Sequence, residues 1–267
     1  MSSRGTLPFS TLLKQENLVI RPAASREELE HAYRRVYWSY RHRAYIEEHP
    51  SRMRLSVFNA FPTTVTFVSI MDQEVIASIT VVPDTDAGLP MDEIYHSELD
   101  ELRAHGRKLV EATMFADRRN RDFRRSIPML LLMMKYVFDY CCTIANADDI
   151  CITINPRHES FYQDYLPFTT LGPERSYPSV QNHPAIAKRL NLKTVEEVCS
   201  EKEYLQELFL QDHIPAPRLE KQYDLTCKDL YDLFVNLTDA FKDAPPEAIR
   251  SLRNHYPKCN WEGWGFA

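Results

Sequence analysis

The stretch Leu109-Val110-Glu111-Ala112-Thr113-Met114-Phe115-Ala116 decides the fold, because it has the pattern of a strand with one acid among apolar residues. Alternation predicts one face formed by Leu109, Glu111, Thr113 and Phe115, and an opposite face formed by Val110, Ala112, Met114 and Ala116. A buried carboxylate is costly unless it is paired or hydrogen-bonded. Glu111 is therefore either a functional residue, through a raised pKa or through a cation that it holds, or a residue that pairs with a nearby arginine or lies on a solvated strand face. The sequence leaves both interpretations open.

A basic loop and an apolar segment follow this strand. The loop contains five arginines, namely Arg118, Arg119, Arg121, Arg124 and Arg125. Ser126 is a candidate helix cap with Pro128 in the first turn, and the predicted helix is apolar on nearly every side to about Cys142. Arginines just before a helix N-terminus favour an anion such as phosphate, although a solvated loop is the alternative.

A second candidate group of functional side chains comes next. Residues 150–154 predict a short buried strand, and Asn155-Pro156 begins a helix that runs to about Tyr165. His158 and Tyr162 could act as acids or bases at the C-terminal end of this strand. The alternative is that the aromatic side chains simply pack into the core.

The flanking segments complete a mixed α/β fold. Residues 26–46 predict an amphipathic helix, and the β-branched runs 64–70 and 75–82 predict an antiparallel hairpin. The centre is thus a mixed sheet flanked by helices. Helical patterns at about 194–211 and 226–243 predict a C-terminal extension. We therefore expect a domain over residues 1–192 and a helical extension over residues 193–267.

The composition excludes several classes of protein. Only 6 glycines accompany 17 prolines, and the glycines are not clustered, so neither a Walker A loop nor a G-x-G-x-x-G fingerprint is present. A net charge of −6 and a pI of about 5.9 argue against nucleic acid as a partner. No apolar run approaches the length of a membrane span, and the opening residues lack a signal-peptide core. Six cysteines without a C-x-x-C pair predict a reduced, cytoplasmic protein without a metal site.

The motifs together resemble the core of GNAT-fold acyltransferases. The resemblance covers residues 30–192, and it is most specific at Gly88-Leu-Pro-Met-Asp92 and at Asn155-Pro-Arg-His158. Within that superfamily the chain is similar to long-chain N-acyl amino acid synthases and, more distantly, to autoinducer (acyl-homoserine-lactone) synthases. The predicted fold class is therefore α/β with the GNAT arrangement.

This resemblance implies transfer of a fatty acyl group from an acyl carrier protein or acyl-CoA thioester to the amine of an amino acid, with no tightly bound cofactor. We expect Glu111 to hold the amine or to act as a base through water, and main-chain amides at Phe115 and Ala116 to bind the thioester carbonyl. We expect the donor phosphate to contact Arg118, Arg121, Arg124, Arg125 and Ser126. Further contacts with substrate are expected from Arg34, Tyr37, Trp38 and Thr113, and catalytic contributions from Phe115, His158 and Tyr162.

The donor loop departs from the common GNAT pattern. The sequence Arg121-Asp-Phe-Arg-Arg-Ser126 lacks the usual glycines, whose amides grip the phosphates of acetyl-CoA. Arginine forks suit the single phosphate of a carrier protein, so this departure favours a carrier-protein donor. Two alternatives stay open: a short-chain GNAT acetyltransferase, and a non-catalytic GNAT-like module that binds an acyl ligand or a partner.

Overall fold

A mixed sheet of seven strands forms the centre of the structure, a computed structural model that describes residues 17–118, 123–221 and 223–266, with the backbone only for 123–125. The strands are β1 (Val19–Pro22), β2 (Val65–Met71), β3 (Glu74–Pro83), β4 (Leu109–Asp117), β5 (Asp149–Ile154), β6 (Thr169–Tyr177) and β7 (His183–Asn191). The α-helices are α1 (Arg26–His42), α2 (Asp92–Ala104), α3 (Phe123–Thr143), α4 (Glu159–Tyr165), α5 (Val195–Cys199), α6 (Glu203–Leu205), α7 (Cys227–Tyr231) and α8 (Pro246–His255). Short 3₁₀ or π-helical turns lie at Val57–Ala60, Pro156–His158, Pro178–Val180, Gln206–Leu210, Ala216–Arg218 and Asp232–Asn236.

The order of the sheet is β1-β2-β3-β4-β5-β7-β6, and each neighbouring pair is antiparallel except β4 with β5. The predicted hairpin of β2 and β3 is confirmed. The described pairing of β4 with β5 covers three residue pairs and ends at Glu111 opposite Cys151. Beyond this point the two strands separate, and a gap opens between them. The mixed α/β class predicted from the sequence is confirmed.

Buried ion pairs support the junction of β4 and β5. The carboxylate of Asp149, the first residue of β5, is fully buried and binds the guanidinium groups of Arg107 and Arg189. Arg107 also donates to the carbonyl of Asp148 at 3.0 Å and to Oδ1 of Asn191 at 2.7 Å. These contacts tie the start of β4 to β5 and β7.

A β-bulge interrupts β4. Thr113 lies opposite Thr80, but the next described pair joins Ala116 to Ser78, so β4 contains one extra residue, and Met114 has a φ of 54°. The predicted faces are wrong beyond Thr113, because the extra residue exchanges the sides. Phe115 packs in the same core as Val110 and Ala112, whereas Met114 and Ala116 pack against Val36 of α1.

The helix after the basic loop begins earlier than predicted. It starts at Phe123, so the prediction that Ser126 caps it is wrong, and Ser126 is a buried residue inside the helix. The additional turn places Pro128 in the helix interior, where its missing N–H leaves the carbonyl of Arg124 without its helical partner. The apolar part of α3 is buried as expected, from Met129 to Cys141.

The C-terminal residues form shorter elements than predicted. The pattern at 194–211 is divided among α5, α6 and a π-helical turn, and the pattern at 226–243 becomes α7 followed by another π-helical turn. Side chains compete with the helical backbone at the first break, where Gln206 donates to the carbonyl of Ser200 at 2.8 Å. Helices α2 and α8 and strands β1, β6 and β7 were not predicted. Strand β7 was missed because it carries Lys188 and Arg189, whose charges are balanced by Glu159 and Asp149.

The extension shares its cores with the sheet. Val195, Leu208 and Phe209 pack in the same cluster as α3, whereas Leu233, Phe234 and other residues up to Trp261 pack with α1, β2 and β3. The division at residue 193 stays a prediction. No helix among the described residues is long and apolar enough to cross a membrane.

Two of the six cysteines are joined. Cys227 and Cys259 form a disulfide, with Cα atoms 5.3 Å apart, so the prediction of a fully reduced chain is wrong for this pair. The two residues are 32 positions apart and belong to no C-x-x-C motif, so only the folding of the C-terminal segment brings them together. Cys141, Cys142, Cys151 and Cys199 are free thiols.

Candidate active site

Glu111 lies where β4 and β5 separate, and only 1% of its surface is exposed. Its Oε2 accepts a hydrogen bond of 2.7 Å from the backbone N–H of Met91, at the beginning of α2. Burial raises the pKa of the Glu111 carboxyl to about 8, and the charge of Asp92 adds to this effect, against the hydrogen bonds from Met91 and Thr113. Glu111 therefore holds its proton at pH 7 and ionises near pH 8, which is close enough to neutral pH for a general base.

A pocket with a cavity volume of about 160 Å³ opens above Glu111, and we call it the Glu111 pocket. Its wall is formed by the strand ends together with the loops around Arg54 and Ser179. The lining residues are Tyr40, Tyr45, Arg54, Ser56, Phe58, Pro90, Glu93, Glu111, Thr113, Met114, Thr153, Ile154, Asn155, Tyr177, Ser179, Val180, His183, Pro184 and Ala185. The pocket combines aromatic walls with a carboxylate and a guanidinium, as a site for a small polar molecule requires.

A second pocket of about 150 Å³ lies against α3, and we call it the α3 pocket. It is lined by Ser39, Tyr40, Arg43, Tyr45, Ile79, Ala112, Thr113, Met114, Phe115, Ser126, Leu130, Met134, Ile152, Thr153, Ile154, Asn155, His158 and Tyr162. Thr113 and Met114 of β4 and Thr153 and Ile154 of β5 line both pockets. The two pockets therefore meet at the gap between β4 and β5.

Polar groups are placed around the α3 pocket. The hydroxyls of Ser126 and Thr153 are buried and make no hydrogen bond to any residue that the structure describes. Burial, with the nearby charges of Arg43 and Arg157, lowers the pKa of His158, so this imidazole is neutral at pH 7. Burial raises the pKa of the Tyr162 hydroxyl, which therefore keeps its proton.

The structure brings six of the predicted site residues together. Glu111 lies in the first pocket, Thr113 lines both, and the α3 pocket receives the other four, which are Phe115, Ser126, His158 and Tyr162. Ala116 is fully buried beside Val36 and lines neither pocket. Arg118 is half exposed at the end of β4, 3.8 Å from Glu74. Arg121 and the side chains of Arg124 and Arg125 lie outside the described residues.

Three residues of α1 lie away from both pockets. Arg34 binds Glu30 at 3.0 Å on the surface of the helix. The Tyr37 hydroxyl is buried and accepts from the N–H of His49 at 3.2 Å, and Trp38 is 48% exposed beside Arg52. None of the three lines either pocket, and their expected contacts with substrate stay predictions. The helical repeat turns Tyr40, rather than these three, towards the gap.

Sequence reasoning missed several residues that line the pockets. Tyr40 was expected only as part of the apolar face of α1, and Arg54 lies in an irregular segment without any periodicity. Tyr177 and His183 come from strands that were not predicted. These four residues are recognised only by their position in the fold, because no local sequence motif marks them.

One cluster of possible metal ligands lies near the start of α2. Single ligand atoms of Asp92, His96 and Asp100 lie within 4.8 Å of one another. Asp92 and Asp100 also bind the guanidinium of Arg103, at 2.6 and 2.9 Å. The arginine therefore already balances the charge of this cluster.

Comparison with known proteins connects this geometry to one family. Residues 31–191 match the family described as N-acyl amino acid synthase FeeM. The structure of FeeM, an N-acyl amino acid synthase from uncultured soil microbes, is 29% identical, with 71% of this chain and 97% of that chain covered and a TM-score of 0.59. No curated protein sequence matches the chain.

More distant structures share the fold. The acyl-homoserine-lactone synthase LasI is 14% identical, with 74% of this chain and 96% of that chain covered and a TM-score of 0.52. BjaI, a CoA-dependent acyl-homoserine lactone synthase solved with SAM and isopentyl-CoA, is 13% identical, with 79% of this chain and 95% of that chain covered and a TM-score of 0.52.

Proposed function

The chain belongs to the N-acyl amino acid synthase FeeM family, has the GNAT fold and is an acyltransferase, and on this premise we propose that it transfers a long-chain acyl group from a carrier-protein or CoA thioester to the amine of an amino acid. The observation that carries the proposal is the meeting of two pockets at the gap between β4 and β5. A donor in the α3 pocket and an acceptor in the Glu111 pocket can therefore meet at this gap.

The proposed reaction is a direct attack of the amine on the thioester. The new C–N bond forms as the C–S bond breaks, Glu111 takes a proton from the amine, and the thiolate leaves with a proton. A carboxyl with a pKa of about 8 is well matched to an amine donor. Because the thioester is already activated, orientation and proton transfer supply most of what the reaction needs.

The bulge of β4 offers a place for the thioester carbonyl. Met114 and Phe115 fall between the described residue pairs of β4 with β3. We assign the amide of Phe115 to the carbonyl oxygen, where negative charge develops, but not that of Ala116, which pairs with Ser78 and lines neither pocket. The acyl chain would follow the apolar side chains Ile79, Leu130 and Met134.

Tyr162 is proposed to protonate the leaving thiolate. Its hydroxyl keeps its proton because burial raises its pKa, and it lines the α3 pocket with the neutral imidazole of His158. We expect Tyr162→Phe to lower kcat by about 10- to 100-fold with an alkyl thioester donor. The loss should shrink with an aryl thioester, whose thiolate leaves without a proton.

The measurement is single-turnover kinetics with both thioesters. Tyr165→Phe is the matched control, because Tyr165 is on the same helix but stacks on Phe161 and does not line the α3 pocket. An equal loss with alkyl and aryl thioesters would exclude Tyr162 as the acid.

Arginines 118, 121, 124 and 125 are proposed to receive the phosphate of the donor. We expect replacement of all four by Gln to raise the KM for a carrier-protein thioester about tenfold or more, because each charge-assisted contact with phosphate is lost. The KM for the amino acid should not change. Replacement of Arg250 and Arg253, on the surface of α8, is the control for loss of positive charge.

Product analysis tests the function itself. The protein is incubated with palmitoyl carrier protein, palmitoyl-CoA or acetyl-CoA and a mixture of the twenty amino acids, and products are identified by mass spectrometry. We expect N-palmitoyl amino acid, formed fastest from the carrier-protein donor. Preference for acetyl-CoA would establish the short-chain alternative, and unchanged thioester with every amino acid would contradict the proposal.

A further inference from the structure

The Glu111 pocket contains one guanidinium, that of Arg54, which forms no ion pair with any residue that the structure describes. We infer that Arg54 binds the carboxylate of the acceptor amino acid and so selects amino acids over simple amines. This inference rests on the proposed function, because it names the residue that binds the carboxylate of the acceptor in the same pocket.

Arg54 is held in place by backbone groups. Its N–H donates to the carbonyl of Tyr33 on α1 at 3.1 Å, and its Nη2 donates to the carbonyl of Ser179 at 3.2 Å. The neighbouring side chains of Met53 and Leu55 are buried, which fixes the direction of the segment. The guanidinium is therefore positioned before any acceptor binds.

The Nε of Arg54 is buried and makes no hydrogen bond to any described residue. An unsatisfied buried donor destabilises a structure, and such a donor in a pocket indicates a ligand that accepts from it. A carboxylate commonly binds arginine through two parallel hydrogen bonds, one of which can come from Nε. An acceptor carboxylate bound next to the Nε of Arg54 would accept a hydrogen bond from this buried N–H group.

The acidic groups of the pocket leave Arg54 available. Both oxygens of Glu93 bind Ser179, one the backbone N–H at 3.1 Å and the other the hydroxyl. Glu111 accepts from the N–H of Met91 and forms no hydrogen bond with Arg54. Glu93 thus fixes Ser179, and Ser179 in turn fixes Arg54.

Arg54 and Glu111 match the two ends of an amino acid, its carboxylate and its amine. Arg54 and Glu111 line the same cavity, and both act on the buried phenols of Tyr40 and Tyr177. Burial raises the pKa of both phenols. Glu111 raises these pKa values further, whereas Arg54 lowers them. An acceptor between them would direct its amine to Glu111 and its carboxylate to Arg54.

The test compares two acceptors that differ only in the carboxylate. Initial rates are measured with phenylalanine and with phenylalaninamide for the unmodified protein, Arg54→Gln and Arg54→Lys. We expect Arg54→Gln to raise the KM for phenylalanine by about 10- to 100-fold, the value of a charge-assisted pair, and to leave the KM for the amide within about twofold. Arg54→Lys should lie between, because lysine keeps the charge but not the fork.

Arg52→Gln is the matched control, since Arg52 lies in the same segment, is exposed and contacts Trp38 outside the pocket. Turnover of the amide by Arg54→Gln shows that the variant is folded. An equal loss with both acceptors overturns the inference, and so does a normal KM for phenylalanine in Arg54→Gln. If the unmodified protein acylates no amino acid at all, the proposed function itself fails, and this outcome is distinct from the other two.

Discussion

Replacement of Glu111 by Gln is expected to lower kcat by about 10²- to 10⁴-fold, the usual contribution of a positioned general base. The amide keeps the shape of the side chain and can still accept from the N–H of Met91, but it cannot take the proton of the amine. The KM for the acyl donor should change little, because Glu111 lines the acceptor side and not the α3 pocket. Single-turnover kinetics at saturating donor measure the effect.

The same substitution should make the protein more stable at high pH. The carboxyl has a pKa of about 8 when folded against 4.5 as its ordinary value, so the folded state holds the extra proton between these values. Stability from this group is present below pH 4.5 and is lost as the pH rises through about 8. Above that pH, Glu111→Gln should gain on the order of 5 kcal/mol in the free energy of unfolding.

Urea unfolding at pH 6, 7.5 and 9 measures this gain, with Glu174→Gln as the control for an exposed carboxylate. The difference between Glu111→Gln and the unmodified protein should grow with pH, and kcat/KM of the unmodified protein should rise over the same range. A fully active Glu111→Gln variant would remove Glu111 from the mechanism, whatever its stability.

Asp139→Ala is expected to destabilise the fold by about 3 to 5 kcal/mol, because it leaves a buried lysine without its counter-charge. Lys135 and Asp139 on α3 are 2% and 1% exposed, and their charged atoms are 3.6 Å apart. Asp139 also accepts from the Nδ1 of His213 at 2.7 Å and from the N–H of Ile214 at 2.8 Å. The variant should therefore loosen the extension as well as the helix.

Thermal unfolding should show a midpoint lower by about 6 to 15 °C. The exposed Asp243 supplies the control, Asp243→Ala. A double variant, Lys135→Met with Asp139→Leu, should recover most of the loss, since an apolar pair of similar volume is often as stable as a buried ion pair. A change below about 1 kcal/mol in Asp139→Ala would show that Lys135 is satisfied by the carbonyls of Leu208 and Gln211 alone.

The sequence predicted the elements whose pattern is strong and local. Strand β4 alternates in its side chains, β2 and β3 are β-branched apolar runs, and α3 is a long apolar segment. Glu111 is recognisable as an acid among the apolar residues of β4. The bulge could not be predicted, because one additional residue in a strand leaves no mark on the pattern of side chains. Strand β7 escaped because its cations are satisfied by residues that are distant in sequence.

The site was predictable only in part for the same reason. Glu111, Thr113, Phe115, His158 and Tyr162 lie in segments whose order along the chain resembles the family. Arg54, by contrast, enters the pocket through a loop that α1 and Ser179 hold, and no short motif marks it. The pairing of Cys227 with Cys259 likewise depends on the packing of the last helices.

Few backbone pairs join the two halves of the sheet. Strands β1 to β4 form one half and β5 to β7 form the other. The described backbone pairing between the halves consists of the three β4–β5 residue pairs that begin at Leu109. Arg107 and Asp149 add an ion pair at the closed end. A reactant bound in the gap between β4 and β5 would contact both halves and hold them together. Product release would remove these contacts, so the sheet would be more rigid with reactants bound than after the product has left.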